Sequence, residues 1–156
     1  MIKVAIPGRG NYKFEHLLLD LNGTIALDGE IIKGVEDRLR QLSSLLNISI
    51  VTADTHGSAR WLEQELKLDI SRIAPGEEGT QKLSLVQQLG KQSTICVGNG
   101  SNDAPMLEES ALGICVSGGE GLSVEAIMHA DLVVSNINDA LDLLLNPDRL
   151  IATLRK

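Results

Sequence analysis

Short apolar runs recur along the chain, separated by stretches whose apolar residues fall on one helical face. The runs are residues 17–21 (LLLDL), 48–52 (ISIVT), 73–74 (IA), 94–97 (TICV), 112–116 (LGICV) and 132–134 (LVV). They are short and unalternated, as are strands buried on both faces of a parallel sheet. Between them, Val35, Leu39, Leu42 and Leu46 share one helical face, and Leu85, Val86 and Leu89 another. This alternation predicts an α/β fold: a doubly wound, Rossmann-like, mostly parallel sheet flanked by helices, with right-handed crossovers. At the start, residues 1–6 and 12–16 flank a Pro-Gly-Arg-Gly turn at 7–10 and read as a hairpin added against the sheet. At the other end, residues 138–145 and 147–154 read as closing helices, with Pro147 suited to a first helical position.

Composition narrows the partners. A chain of 156 residues is expected to form a single domain over 1–156. The net charge of −7 argues against a nucleic-acid partner, which needs surplus Lys and Arg. The aromatic content of 2% leaves no stacking platform for single strands. No apolar run approaches the roughly 20 residues of a membrane span, and the first residues lack a secretory h-region. A cytoplasmic location with no membrane contact is therefore expected. Cys96 and Cys115 each sit in an apolar run without CxxC spacing, and read as reduced core residues.

Ligands of open α/β sheets bind at the carboxyl ends of the strands, and the residues there are polar. The first long run ends in Asp20-Leu-Asn22-Gly23-Thr24, the next in Thr52-Ala53-Asp54, and that at 94–97 in Gly98-Asn99-Gly-Ser-Asn102-Asp103. Lys82 is expected to open the helix before this last strand. A carboxylate, a hydroxyl, an ammonium and a second carboxylate would converge on one rim, a set that can bind a phosphoryl group and a hard divalent cation. Taken singly, Asp20 and Asn22 are turn formers, Thr52 a strand residue, Lys82 a solvated lysine and Asn102 a helix N-cap. Their joint order and spacing carry the functional reading. Gly98-x-Gly100 lacks the third glycine of a dinucleotide fingerprint, and no phosphate-loop motif is present. The Ser-Gly-Gly-Glu-Gly stretch at 117–121 reads as a turn beside the rim, and His56 as a solvated helix start.

These motifs resemble the haloacid dehalogenase superfamily of phosphohydrolases and phosphotransferases. Its hhhDxDGT, strand-ending Thr, Lys and GDGxND motifs are matched by LLLDLNGT, Thr52, Lys82 and GNGSND at 98–103. GNGSNDAPML is also similar to a segment of P-type ATPase phosphorylation domains. The resemblance implies a Mg²⁺-dependent enzyme working through an aspartyl phosphate at Asp20. Mg²⁺ would be held by Asp20, the Asn22 main-chain carbonyl and Asp103, with help from Asn99. Thr52 and Lys82 would hold phosphoryl oxygens, and Gly23, Thr24, Ala53 and Asn102 would complete the cradle, partly through backbone amides.

Two departures qualify this. Asn22 stands where the family has its general acid, which implies slow reaction with poor leaving groups. Asn99 replaces a magnesium carboxylate and removes one charge. Asp54 and His56, on the same rim, are the next residues placed to supply a proton. The alternative function is a non-catalytic phosphate- or phosphoprotein-binding descendant. The interval from Asp20 to Thr52 holds only a hairpin-like flap over 25–32 and one helix, and that from Thr52 to Lys82 one helix and a strand, so no cap domain is expected. The open site implies either a neighbouring subunit of a homo-oligomer as cover or a macromolecular substrate. A small phosphorylated substrate or a phosphoprotein is the expected partner.

Overall fold

The computed structural model describes residues 1–53 and 57–156. In chain order its elements are β1 (Ile2–Ile6), β2 (Gly10–Phe14), β3 (His16–Asp20), β4 (Ala26–Leu27), β5 (Glu30–Ile31), α1 (Val35–Leu42), β6 (Asn47–Thr52), α2 (Ser58–Glu65), β7 (Asp69–Arg72), α3 (Glu78–Leu89), β8 (Thr94–Gly98), α4 (Ala104–Glu109), β9 (Leu112–Val116), α5 (Val124–His129), β10 (Leu132–Val134), α6 (Ile137–Leu145) and α7 (Pro147–Leu154). Six strands form one sheet in the order β10-β9-β8-β3-β6-β7. Every pairing within it is parallel.

The pleat divides the apolar runs between two cores, because successive strand residues point to opposite faces. Leu17 and Leu19 face one core with Ile50, Ile95, Val97 and Ile114, covered by α1, α2, α6 and α7. Leu18 faces the other with Val51, Cys96 and Cys115, covered by Val86 of α3, Met106 and Leu107 of α4 and Ala126 of α5. Unalternated runs on β3, β6, β8 and β9 follow directly from having helices on both faces. Both cysteines are free and buried.

Local signals set the ends of several elements. Asn136 accepts a hydrogen bond from Asp139 N–H (3.0 Å) and caps α6, while Ser123 caps α5 through Ala126 N–H (3.1 Å). Pro147 occupies the first turn of α7, where its missing N–H costs nothing. The hairpin β1–β2 forms its own antiparallel sheet rather than extending the main one. Its inward residues Ile2, Val4, Ile6 and Phe14 join the first core. α7 is tied to it, with Lys156 N–H donating to the Pro7 carbonyl (3.0 Å).

Two expectations require correction. Residues 73–74 are not a strand; the edge strand is β7, whose end residues Asp69 and Arg72 are exposed and which therefore carries no apolar run. Lys82 lies about one turn into α3 rather than opening it, because α3 begins at Glu78. The intervals flanking Thr52 hold the flap β4–β5 with α1, and α2 with β7.

Gly113 in β9 permits a close approach of α4. A Cβ there would collide with the Leu107 carbonyl oxygen and lie 3.0 Å from its carbonyl carbon, both backbone atoms. Gly113→Ala should therefore lower the unfolding free energy by about 1–3 kcal/mol, the usual cost of overpacking a rigid contact. Urea denaturation checks this, and an unchanged midpoint would show that α4 can shift freely.

Candidate active site at the carboxyl ends of the central strands

The chain runs from β3 outward through β6 to β7, then returns to β8 on the other side of β3. That reversal is a topological switch point, where a crevice opens outside the carboxyl ends of the strands. Asp20 ends β3, Thr52 ends β6, and Asn99 follows β8. A cleft of about 510 Å³ opens there, lined by Asp20, Asn22, Thr52, Ala53, Lys82, Asn99 and Asn102 from the expected set. A larger depression of about 660 Å³ beside β7, α2 and α3 gathers no comparable chemistry.

Lys82 is the centre of the site. It is 2% exposed, and its ammonium donates to Asp20 Oδ1 (2.8 Å), Asp103 Oδ1 (2.6 Å) and Asn102 Oδ1 (3.3 Å). Three donors thus meet three acceptors, which a buried ammonium requires. Burial works against its charge, but the Asp20 and Asp103 carboxylates outweigh this and raise its pKa above the ordinary lysine value. Asp20 moves the other way from a usual paired carboxylate. Burial, then repulsion from Asp103, push it up from 3.8 to about 7, against the pull of Lys82.

Asp103 does not face the cleft as a metal-binding carboxylate would. It is fully buried, with Oδ2 accepting from the backbone N–H groups of Asn99 and Gly100 (2.9 Å each) and Oδ1 from Lys82. Gly98 makes room for it, since a Cβ there would lie 2.6 Å from the Asp103 Cβ. The Gly23 and Thr24 backbone amides are also turned away from any phosphoryl group. Gly23 N–H donates to the Ala26 carbonyl (2.8 Å) and Thr24 N–H to that of Leu21 (3.3 Å), because the turn must satisfy its own backbone. Instead the Thr24 hydroxyl, 1% exposed, lies between Asp20 Oδ2 (3.2 Å) and Asn99 Oδ1 (3.3 Å).

These oxygens are hard donors of the kind Mg²⁺ takes. Asp20 Oδ2 and Asn99 Oδ1 converge on one hydroxyl, and Asn22 lines the same cleft, so the residues fit a divalent cation. The donor set is poor in charge. Among the described residues no group of three or more His, Cys, Asp or Glu side chains is arranged to hold a metal. Ile73, Glu78, Gly100, Ser101 and Glu120 also line the cleft. Of these, Glu120 had a sequence signal, its place in the glycine-rich turn beside the rim. Asp54 and His56 lie outside the described residues.

No family model matches the chain. An uncharacterized protein of Methanocaldococcus jannaschii is 45% identical over 92 residues, which are 56% of this chain and 99% of that protein. A copper-exporting P-type ATPase B of Archaeoglobus fulgidus is 32% identical over 118 residues, 74% of this chain but only 16% of the ATPase. Among solved structures, the 3-deoxy-D-manno-octulosonate 8-phosphate phosphatase of Moraxella catarrhalis, in complex with magnesium, phosphate and KDO, has a TM-score of 0.66 at 20% identity, covering 91% of this chain and 94% of that one. A HAD-superfamily hydrolase of Legionella pneumophila has a TM-score of 0.68 at 14% identity, covering 90% and 87%. A phospho-aspartyl intermediate analogue of phosphoserine phosphatase has a TM-score of 0.64 at 14% identity, covering 85% and 99%. The structural likenesses establish a shared fold. Among the described residues no helix is long and apolar enough to cross a membrane.

The raised pKa of Asp20 has a consequence for stability in chelator. The folded chain holds this proton more tightly than the unfolded one, so its stabilisation is complete below the ordinary value of 3.8 and is lost as pH rises through about 7. Thermal melts without divalent ions should show the unaltered chain losing stability relative to Asp20→Asn across that window and levelling off above it. A difference that stays constant with pH would refute the assignment.

Proposed function

We propose that this chain is a haloacid-dehalogenase-type, divalent-cation-dependent phosphohydrolase or phosphotransferase that works through an aspartyl phosphate at Asp20. The observation that carries this reading is the Lys82 ammonium buried between Asp20 (2.8 Å) and Asp103 (2.6 Å) at the switch point of a parallel sheet. Asp103 and Asn102 hold Lys82, and Lys82 holds Asp20 Oδ1, so the nucleophile has one orientation before substrate arrives.

In the proposed reaction the ionised Asp20 carboxylate attacks phosphorus in line. The bond from phosphorus to the leaving oxygen breaks with its electron pair remaining on that oxygen, and water later cleaves the acyl phosphate. Thr52, 2% exposed at the end of β6, would hydrogen-bond a phosphoryl oxygen, and Lys82 would neutralise charge on another. Asp20, Asn99 and the Asn22 main-chain carbonyl would hold Mg²⁺, which supplies charge neutralisation and favours the ionised nucleophile. Asn22 lines the cleft but has no proton to give. The leaving group must therefore depart as an anion, which suits acyl and aryl phosphates over alkyl phosphates. A small phosphorylated substrate fits the cleft volume of about 510 Å³.

The two amides at 22 and 99 also favour a second reading, a protein that binds phosphate without turnover. Mg²⁺ with an activated aryl phosphate separates the two: product release that Asp20→Asn abolishes supports the enzyme, and retained phosphate binding without release supports the binder. Asn22→Asp should raise alkyl-phosphate turnover by roughly 10²- to 10⁴-fold, the range of general acid–base catalysis, and change aryl-phosphate release less. A flat leaving-group dependence in the unaltered chain would show that another residue supplies the proton.

A further inference from the structure

Glu120 stands apart from the other acidic residues at the rim because the surrounding loop is built onto the site while its carboxylate remains uncommitted. The loop following β9 packs backbone against backbone on the turn after Asp20. A Cβ on Gly118 would lie 2.9 Å from the Gly23 carbonyl oxygen, and one on Gly119 would lie 2.6 Å from Leu27 Cδ2. Asn99 anchors the loop from both sides, its Nδ2 donating to the Gly121 carbonyl (3.1 Å) and its own carbonyl accepting from Ser123 N–H (2.9 Å). Glu120 is carried between these anchors. Its Oε2 crowds the point that a Cβ on Gly23 would occupy, and the Asn99 amide lies 2.8 Å (Nδ2) and 3.0 Å (Oδ1) from that same point. Among the described residues the Glu120 carboxylate has no hydrogen-bond or ion-pair partner.

A carboxylate oxygen therefore sits beside the amide that replaces a charged ligand, and Asn99 Oδ1 leads through the Thr24 hydroxyl (3.3 Å) to Asp20 Oδ2 (3.2 Å). Asp103, the other carboxylate near β8, is consumed by Lys82 and two backbone N–H groups. We propose that Glu120 is the second carboxylate of the divalent-cation site, supplying from the loop after β9 the negative charge that Asn99 lacks. This rests on the reading of the cleft as a cation-assisted phosphoryl site. Glu120 acts directly on the ion or through one of its bound waters, since Mg²⁺ retains several.

Calorimetric titration of Mg²⁺ into the purified chain tests this without reference to turnover. Glu120→Gln, at an exposed position that leaves the fold intact by thermal melt, should weaken Mg²⁺ binding about 10- to 100-fold, the usual loss when a supporting carboxylate of a metal site is removed. Adding Asn99→Asp to E120Q should restore the affinity. If the unaltered chain binds Mg²⁺, Asp20→Asn loses it and E120Q binds as before, the role of Glu120 is overturned while the cation site stands. If the unaltered chain does not bind Mg²⁺, or Asp20→Asn binds it equally well, the cation-site reading itself fails, and the role of Glu120 with it.

Discussion

The site depends on one buried cation held between two buried carboxylates. Lys82 cannot be taken out of water alone, and neither can Asp20 or Asp103, so each is tolerable only because the others are present. The balance is incomplete, since two carboxylates share one ammonium. Burial, joined by repulsion from Asp103, pushes Asp20 up to about 7, and the surplus negative charge is what would attract a second cation to the open side of Asp20. The repulsion that helps to raise Asp20 and the proposed affinity for a divalent ion therefore share that surplus charge as their origin.

Keeping those charges in register requires side chains to fold close against the backbone, and glycines make this possible. Gly98 lets Asp103 fold back beneath the end of β8, and Gly23, at φ +78°, turns the chain away from Asp20 while leaving room for Glu120 and Asn99. The result joins three segments distant in sequence, the turns after β3 and β8 and the loop after β9, into one rim. A Cβ at Gly98 would collide with the Asp103 side chain, and one at Gly23 with the Glu120 carboxylate and the Asn99 amide.

The four sequence motifs with the fold, and the two amides within them, point in different directions chemically. The buried Asp20–Lys82–Asp103 arrangement suits the phosphoryl transfer proposed for it, whereas Asn22 and Asn99 withhold a proton and a charge from it. The chain corresponds to about a sixth of the P-type ATPase it matches, and to nearly all of the Methanocaldococcus protein. In the proposed reading the missing proton confines the chemistry to good leaving groups, and the missing charge is returned from a loop.

The sequence by itself determined the class of fold and most of the rim. Runs such as LLLDL and TICV read as strands covered on both faces, and Asp20, Thr52, Asn99 and Asn102 each follow or end such a run, so their convergence was legible from spacing. The edge strand β7 was not, because a strand with one open side needs no apolar run, and the apolar pair at 73–74 lies just beyond it. Lys82 was legible as a residue type but not in its depth in α3, since one polar position within a helix does not reveal what it packs against. Only the tertiary structure decided that Asp103 faces Lys82 rather than the cleft, that the amides of Gly23 and Thr24 close their own turn, and that Glu120 and Asn99 both lie against the side of Gly23. Those are distances between segments remote along the chain, set by how helices and loops pack on the sheet, and local patterning carries no record of them.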